Sequence, residues 1–140
     1  METTHQIALL TPEKTLLDTE VVSIVAPGSE GFLGILAHHA PLITALGPGP
    51  LTLALPGGRK EIYAISGGFL EVSGNRTVVL ADAAEKPEEI DLSRAEAARE
   101  RAQERLARRS AELNAERAEA ALARAVNRIR IASKHTGSYR

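Results

Sequence analysis

Apolar residues fall into short runs along the first 86 positions and into spaced stripes after Pro87. Ile7 to Leu10 is the first run and ends at Thr11-Pro12. Val21 to Ala26 alternates, with Val22, Ile24 and Ala26 on one face, and stops at Pro27-Gly28. Further runs cover Phe32 to Leu36, Leu42 to Leu46, Leu51 to Leu55, Glu61 to Ser66, Phe69 to Ser73 and Thr77 to Ala81. Between them stand Gly47-Pro48-Gly49-Pro50, Pro56-Gly57-Gly58, Gly67-Gly68 and Gly74-Asn75, each a turn signal. Many short strands punctuated by glycine and proline predict an antiparallel β-sandwich or flattened barrel over residues 1–86. No helix-period segment of useful length interrupts them, which argues against parallel βαβ construction.

The pattern changes at Pro87, the last proline, and no glycine follows until Gly137. Ala95, Ala98, Ala102 and Leu106 recur at three and four residues, one stripe of a helix. A second stripe runs Ala115, Ala118, Leu122, Ala125 and Ile129. Asp91 or Ser93 can cap the first helix by accepting from a free backbone N–H, and Ser93-Arg94-Ala95-Glu96 has the spacing of a capping box. Ser110 to Asn114 is the expected turn, yet it holds neither glycine nor proline, so a continuous rod of about 60 Å over 92–132 also satisfies the pattern. Narrow alanine stripes bury about 0.8 kcal/mol per methyl-sized group, so a helical hairpin here should dock weakly. An element with two accessible packings is what a switch requires.

Composition places the 140-residue chain among soluble globular proteins, with 44% hydrophobic and 25% charged residues. No apolar run approaches the roughly 20 residues of a membrane span. The start, Met1-Glu2-Thr3-Thr4-His5, resembles neither a signal peptide nor a transit segment, which favours a bacterial source, and the absence of cysteine suits a cytosolic compartment. The expected organisation is an anchoring β-sandwich over 1–86, a helical regulatory arm over 87–134 and a flexible tail over 135–140. Charge divides the same way: residues 1–87 carry five basic and nine acidic side chains, residues 88–140 twelve and nine. From Leu106 onward the balance is eight against three, which suggests an acidic partner surface or an anionic ligand. Cations complementing the helix's own dipole explain the same bias.

The sequence holds no self-contained active site. Gly57-Gly58-Arg59-Lys60 lacks the leading glycine, spacing and hydroxyl of a phosphate loop, and no nucleophile elbow, zinc-binding histidine pair or Cys-x-x-Cys occurs. His38-His39 has no further ligand to complete a metal site, so no metal is expected and a local turn or packing role is. What remains is arginine. Arg124 and Arg128 lie one turn apart on one face, with Arg117 two turns before Arg124. Such like charges repel unless a polyphosphate, whose oxygens match guanidinium forks, lies between them. Folding as a hairpin would carry them toward Arg94 on the first helix. A solvated arginine face accounts for the same residues.

Three segments together resemble one family, the ε subunit of F-type ATP synthases. They are Gly31-Phe32-Leu33-Gly34-Ile35-Leu36 through His39-Ala40-Pro41-Leu42, Ile65-Ser66-Gly67-Gly68-Phe69-Leu70-Glu71-Val72, and Ile90-Asp91-Leu92-Ser93-Arg94-Ala95. The last fits a nucleotide motif written [IL]DxxRA. One departure is Ala37-His38, where the family often has Pro-Gly. The resemblance implies a non-catalytic rotor stalk subunit, coupling proton flow to ATP synthesis at the cytoplasmic face of a bacterial membrane. It implies a sandwich packed on the γ subunit and c ring. It also implies an arm that lies down as a hairpin or rises toward the catalytic α and β subunits and inhibits ATP hydrolysis. In some bacterial members ATP holds the arm down. By matching positions, Glu85, Ile90, Asp91 and Ala95 would sit by the nucleotide and Arg94, Arg124 and Arg128 would meet its phosphates. Arg101 and Arg117 would serve as helpers. No cofactor is obligatory on this reading; ATP, with or without Mg, is a regulatory ligand.

Two other classes fit less well. A basic coiled-coil module for nucleic acid would want stacking platforms, and only Phe32, Tyr63, Phe69 and Tyr139 are aromatic. A small enzyme would want a nucleophile, base or metal constellation. A purely structural stalk subunit keeps the family and drops the nucleotide.

Overall fold

The computed structural model describes residues 2–108 and 115–135, in two compact units, Met1–Glu85 and Lys86–Arg140. The first unit is built of β1 (His5–Leu10), β2 (Thr15–Val21), β3 (Ser23–Gly28), β4 (Gly31–Leu36), β5 (Leu42–Ala54), β6 (Lys60–Ser73), β7 (Arg76–Ala81) and β8 (Ala84–Glu85). They form one hydrogen-bonded path in the order β2-β1-β7-β6-β5-β3-β4, with β8 on β6. Ile7 and Leu9 from one end of this path meet Ile24 and Ile35 from the other in a single core, together with Leu51, Leu53, Ile65, Leu70 and Val79. The sheet therefore folds over on itself as a sandwich. Side chains alternate across each strand, and full burial of each such residue contributes about 1.5–3 kcal/mol.

Three details differ from the sequence expectation. Thr15–Val21 is a strand although it carries Asp18 and Glu20. It is an edge strand, paired only with β1, and its acidic side chains face solvent. The Val21 to Ala26 run is divided, Val21 ending β2 and Ser23 starting β3. Gly47-Pro48-Gly49-Pro50, expected as a turn, and Gly67-Gly68, expected to separate two runs, lie inside the long strands β5 and β6. Their ladder keeps one register from Leu42↔Val72 to Ala54↔Lys60. The prolines, which lack an N–H, fall where β3 is out of register with β5, between Val25 and Gly28, so the missing donors cost no ladder bond. One pair also departs from the antiparallel expectation: β1 runs parallel to β7, with Gln6 beside Arg76 and Leu10 beside Leu80.

The second unit opens with a 3₁₀ turn (Pro87–Glu89), followed by α1 (Leu92–Arg108) and α2 (Ala115–His135). The two helices pack on each other, and the 3₁₀ turn packs on α2, so the pair is an antiparallel hairpin. Ala95 and Ala102 are buried on α1, and Ala118 and Ala125 on α2, as the stripes predict. Ala115, assigned to the second stripe, is exposed, whereas Asn127, Ile131 and Ala132 are buried. The expected turn at Ser110 to Asn114 and the tail beyond His135 lie outside the described residues.

Candidate functional site

The start of α1 is set by its cap. Asp91 Oδ1 accepts from the Arg94 N–H at 3.0 Å, and the Asp91 carbonyl accepts from the Ala95 N–H at 3.0 Å. Asp91 is therefore the capping residue, and Ser93, the other candidate, lies inside the helix. One turn earlier the Glu89 carboxylate accepts from the Lys86 N–H at 2.8 Å, and the Ile90 N–H donates to the Pro87 carbonyl at 3.3 Å. The entry into α1 is thus bound locally at each step, which sets the direction of Arg94.

The candidate arginines border the alanine seam. Arg94 precedes buried Ala95, Arg101 precedes Ala102, Arg117 precedes Ala118 and Arg124 precedes Ala125. Arg94, Arg101, Arg117 and Arg124 are exposed, and Arg128 is half-buried. Because the hairpin is antiparallel and the 3₁₀ turn contacts α2, the Ile90–Ala95 segment lies beside the C-terminal half of α2, which carries Arg128, with Arg124 just before the midpoint of the helix. Arg101 and Arg117 lie nearer the other end. Arg117 and Arg128 each already engage a partner within the protein. Glu85 ends β8 in the first unit, where β8 pairs with β6.

The sandwich carries a second feature. Ala45, Phe69, Leu80 and Leu10 form one cross-strand row over β5, β6, β7 and β1. Phe69 is 59% exposed, Leu80 54% and Ile43, in the next row, 72%. Phe32 and Leu36 on the edge strand β4 are also exposed. Large apolar groups contiguous on an outer face mark an interaction surface. The signal was present in the sequence, since Leu42 to Leu46 is apolar at both parities and so offers apolar groups to both faces.

The Ala37-His38 departure has a clear geometry. His38 takes φ 64°, in the left-handed region that a glycine would adopt freely. Its N–H donates to Asn75 Oδ1 at 2.7 Å, and Asn75 is itself left-handed at φ 59°. The His39 N–H donates to the Leu36 carbonyl at 3.2 Å, and its Nδ1 lies 2.7 Å from the Ala40 carbonyl. The pair is thus part of a turn after β4, not a strand.

Comparison with known proteins decides the family. The beta-sandwich domain of the ATP synthase Delta/Epsilon chain matches residues 4–87, and its long alpha-helix domain matches residues 88–133. The chain belongs to the ATP synthase delta/epsilon family. The ATP synthase epsilon chain of Desulforamulus reducens is 48% identical over 132 residues, covering 94% of this chain and 99% of the relative. That of Syntrophomonas wolfei is 50% identical over 133 residues, covering 95% and 97%. Among solved structures, a chain in the Euglena gracilis mitochondrial ATP synthase OSCP/F1/c-ring assembly is similar with a TM-score of 0.80. It is 27% identical, and the match covers 91% of this chain and 81% of that one. A chain of the Tetrahymena thermophila central stalk/c-ring structure shares the fold at 21% identity and a TM-score of 0.54, over 63% of this chain and 70% of that one. As an epsilon-type member of this family, the chain is a non-catalytic subunit. Among the described residues no helix is long and apolar enough to cross a membrane.

Proposed function

We propose that this chain is a rotor central-stalk ε subunit, peripheral at the cytoplasmic face of a bacterial membrane. It helps couple proton flow to ATP synthesis and restrains ATP hydrolysis through a hairpin that ATP holds folded. The sandwich is the anchor. Its apolar row of Phe69 and Leu80, with Ile43 beside it, supplies a docking face for γ and the c ring. The helical unit is the regulator, and extended it would meet the catalytic α and β subunits with its basic end.

One observation carries the nucleotide reading. An alanine seam, shallow on both helices, is bordered by arginines from both, with Asp91 and Arg94 beside the half of α2 that bears Arg128, and Arg124 one turn earlier. Phosphates seated there would be met by both helices. A ligand that contacts both helices favours the folded pair by its differential affinity. Its apparent affinity falls with the fraction of hairpins already folded.

ATP titration of the isolated subunit tests this reading. Saturable binding at millimolar ATP or below, weakened at least tenfold by Arg94→Ala, is expected. No saturation to several millimolar, or binding indifferent to Arg94→Ala, leaves a structural stalk subunit instead. Removal of the residues after Pro87 should preserve assembly and raise ATP hydrolysis by the complex. Unchanged hydrolysis would remove the inhibitory role.

A further inference from the structure

Asn75 ties the start of β1 to the turn after β4: its side-chain Oδ1 accepts from the His38 N–H and its carbonyl accepts from the Gln6 N–H. His5 opens β1 opposite Val21 on β2 and is only 4% exposed, pointing inward with Ile7 and Leu9. His38 and His39, in the turn after β4, lie close enough for their charge to bear on it. Among the described residues the His5 Nε2 has no hydrogen-bond partner, and neither has the buried hydroxyl of Thr77, across the parallel ladder from Ile7. A neutral imidazole can leave one nitrogen as a bare lone pair. An imidazolium needs an acceptor for each of two N–H groups and water or a carboxylate for its charge.

On β1, β2 and β7 the face that His5 shares carries Ile7, Leu9, Val21, Thr19, Leu17, Thr77 and Val79, none of them an anion. Asp18 and Glu20 on β2, and Arg76 at the start of β7, belong to the opposite face by strand alternation. There Gln6 and Arg76 engage Asp18, and the Thr4 hydroxyl donates to Glu20. Arg59 in the β5–β6 turn and Lys60 at the start of β6 are exposed, and Glu61 is half-buried. The neighbours that do act on the ring, His38 and His39, add positive charge when they protonate.

We propose that His5 is an acid-sensitive latch. Neutral, it seats the start of β1 against β2 and the His38–His39 turn; protonated, it is driven from its site and that end of the sandwich loosens. Burial pushes His5 below the ordinary imidazole value of 6.5, a hydrogen bond to the Val22 backbone opposes this, and His38 and His39 add to it. The sign follows: the folded protein binds fewer protons than the unfolded one. The contribution is complete above about pH 6.5 and is lost as pH falls toward the folded value.

The full-length chain is followed by NMR from pH 7.5 to 5.5. The His5 ring protons should titrate below the ordinary imidazole value of 6.5. Amide protection of Gln6 and Val22, which donate to the Asn75 and Ala54 carbonyls at 3.2 and 2.7 Å, should fall by up to about tenfold, the limit set by one pH unit of linked protonation. Protection at Leu51 and Leu53, inside the ladder, should stay level. In His5→Phe the loss at Gln6 and Val22 should vanish, and in His38→Gln it should persist. His5 titrating at or above the ordinary imidazole value, or an unchanged loss in His5→Phe, would overturn the latch. If His5→Phe does not fold, the His5 titration in the native chain decides by itself.

Discussion

A Cβ placed on Gly68 would stand 2.1 Å from the Leu80 carbonyl oxygen. Gly68 sits opposite Ala81 in the β6–β7 ladder at φ 137°, where side-chain-bearing residues are strained. The close approach holds Phe69 directly across from Leu80, so the packing of one glycine composes the apolar row on the outer face.

Gly68→Ala should therefore lower stability by about 3–5 kcal/mol, combining backbone strain with a clash that no side-chain motion relieves. Gly31→Ala is the comparison, at φ 133° with open space around the added carbon. It should cost only the strain, about 1–3 kcal/mol. Urea unfolding of both variants, followed by NMR of the sandwich, checks the difference.

Asp91→Ala removes the side-chain acceptor of the Arg94 N–H and should destabilise the helical unit by about 1 kcal/mol. Ser93→Ala should change it by less than about 0.5 kcal/mol, because Ser93 is exposed inside the helix. Thermal melting monitored by far-ultraviolet circular dichroism distinguishes the two caps. An equal loss in both would refute the assignment to Asp91.

The seam of the hairpin tolerates little volume. Ala125 is 2% exposed, so Ala125→Leu should cost about 1–3 kcal/mol by overpacking and should weaken ATP binding in step. Ala123 is exposed on the same helix, and Ala123→Leu should stay within about 0.5 kcal/mol of the native chain. Melting curves and ATP titration of the two variants form the measurement.

On the outer face of β1 and β2 the Gln6 amide donates to Asp18 Oδ1 at 2.8 Å, and Arg76 Nη2 stands 3.2 Å from Oδ2. These hold the Asp18 carboxyl below its ordinary value, Gln6 contributing most and Arg76 next. The linked stability is present above the unfolded carboxylate range and disappears as pH falls through the folded value. Gln6→Ala and Arg76→Ala should each raise the Asp18 titration midpoint. Carboxyl-carbon NMR of the two variants reads the shifts, and an unmoved midpoint in either would remove that partner from the account.

The strand runs, the helix beginning at Asp91 and most of the alanine seam were legible because each depends on neighbours within one or two turns. Asp91 can cap because its own side chain reaches the N–H three residues on. Ala95 and Ala102 share a face because the helical period places them there. The candidate arginines were legible as types and spacings; their position along the seam needed the antiparallel packing of α1 on α2.

Other features had no local signal. Gly47-Pro48-Gly49-Pro50 reads as a turn until β6 supplies a ladder partner for it, and Thr15–Val21, which falls in none of the runs read as strands, becomes one by pairing with β1. The parallel pairing of β1 with β7 joins residues at opposite ends of the sandwich unit. The amino-acid sequence by itself determined the family and the periodicities of both units, since these reside in composition and short-range spacing. Only the tertiary structure decided which polar groups are buried without partners and which apolar side chains stay exposed, because burial depends on what the folded sheet brings across, not on neighbours along the chain.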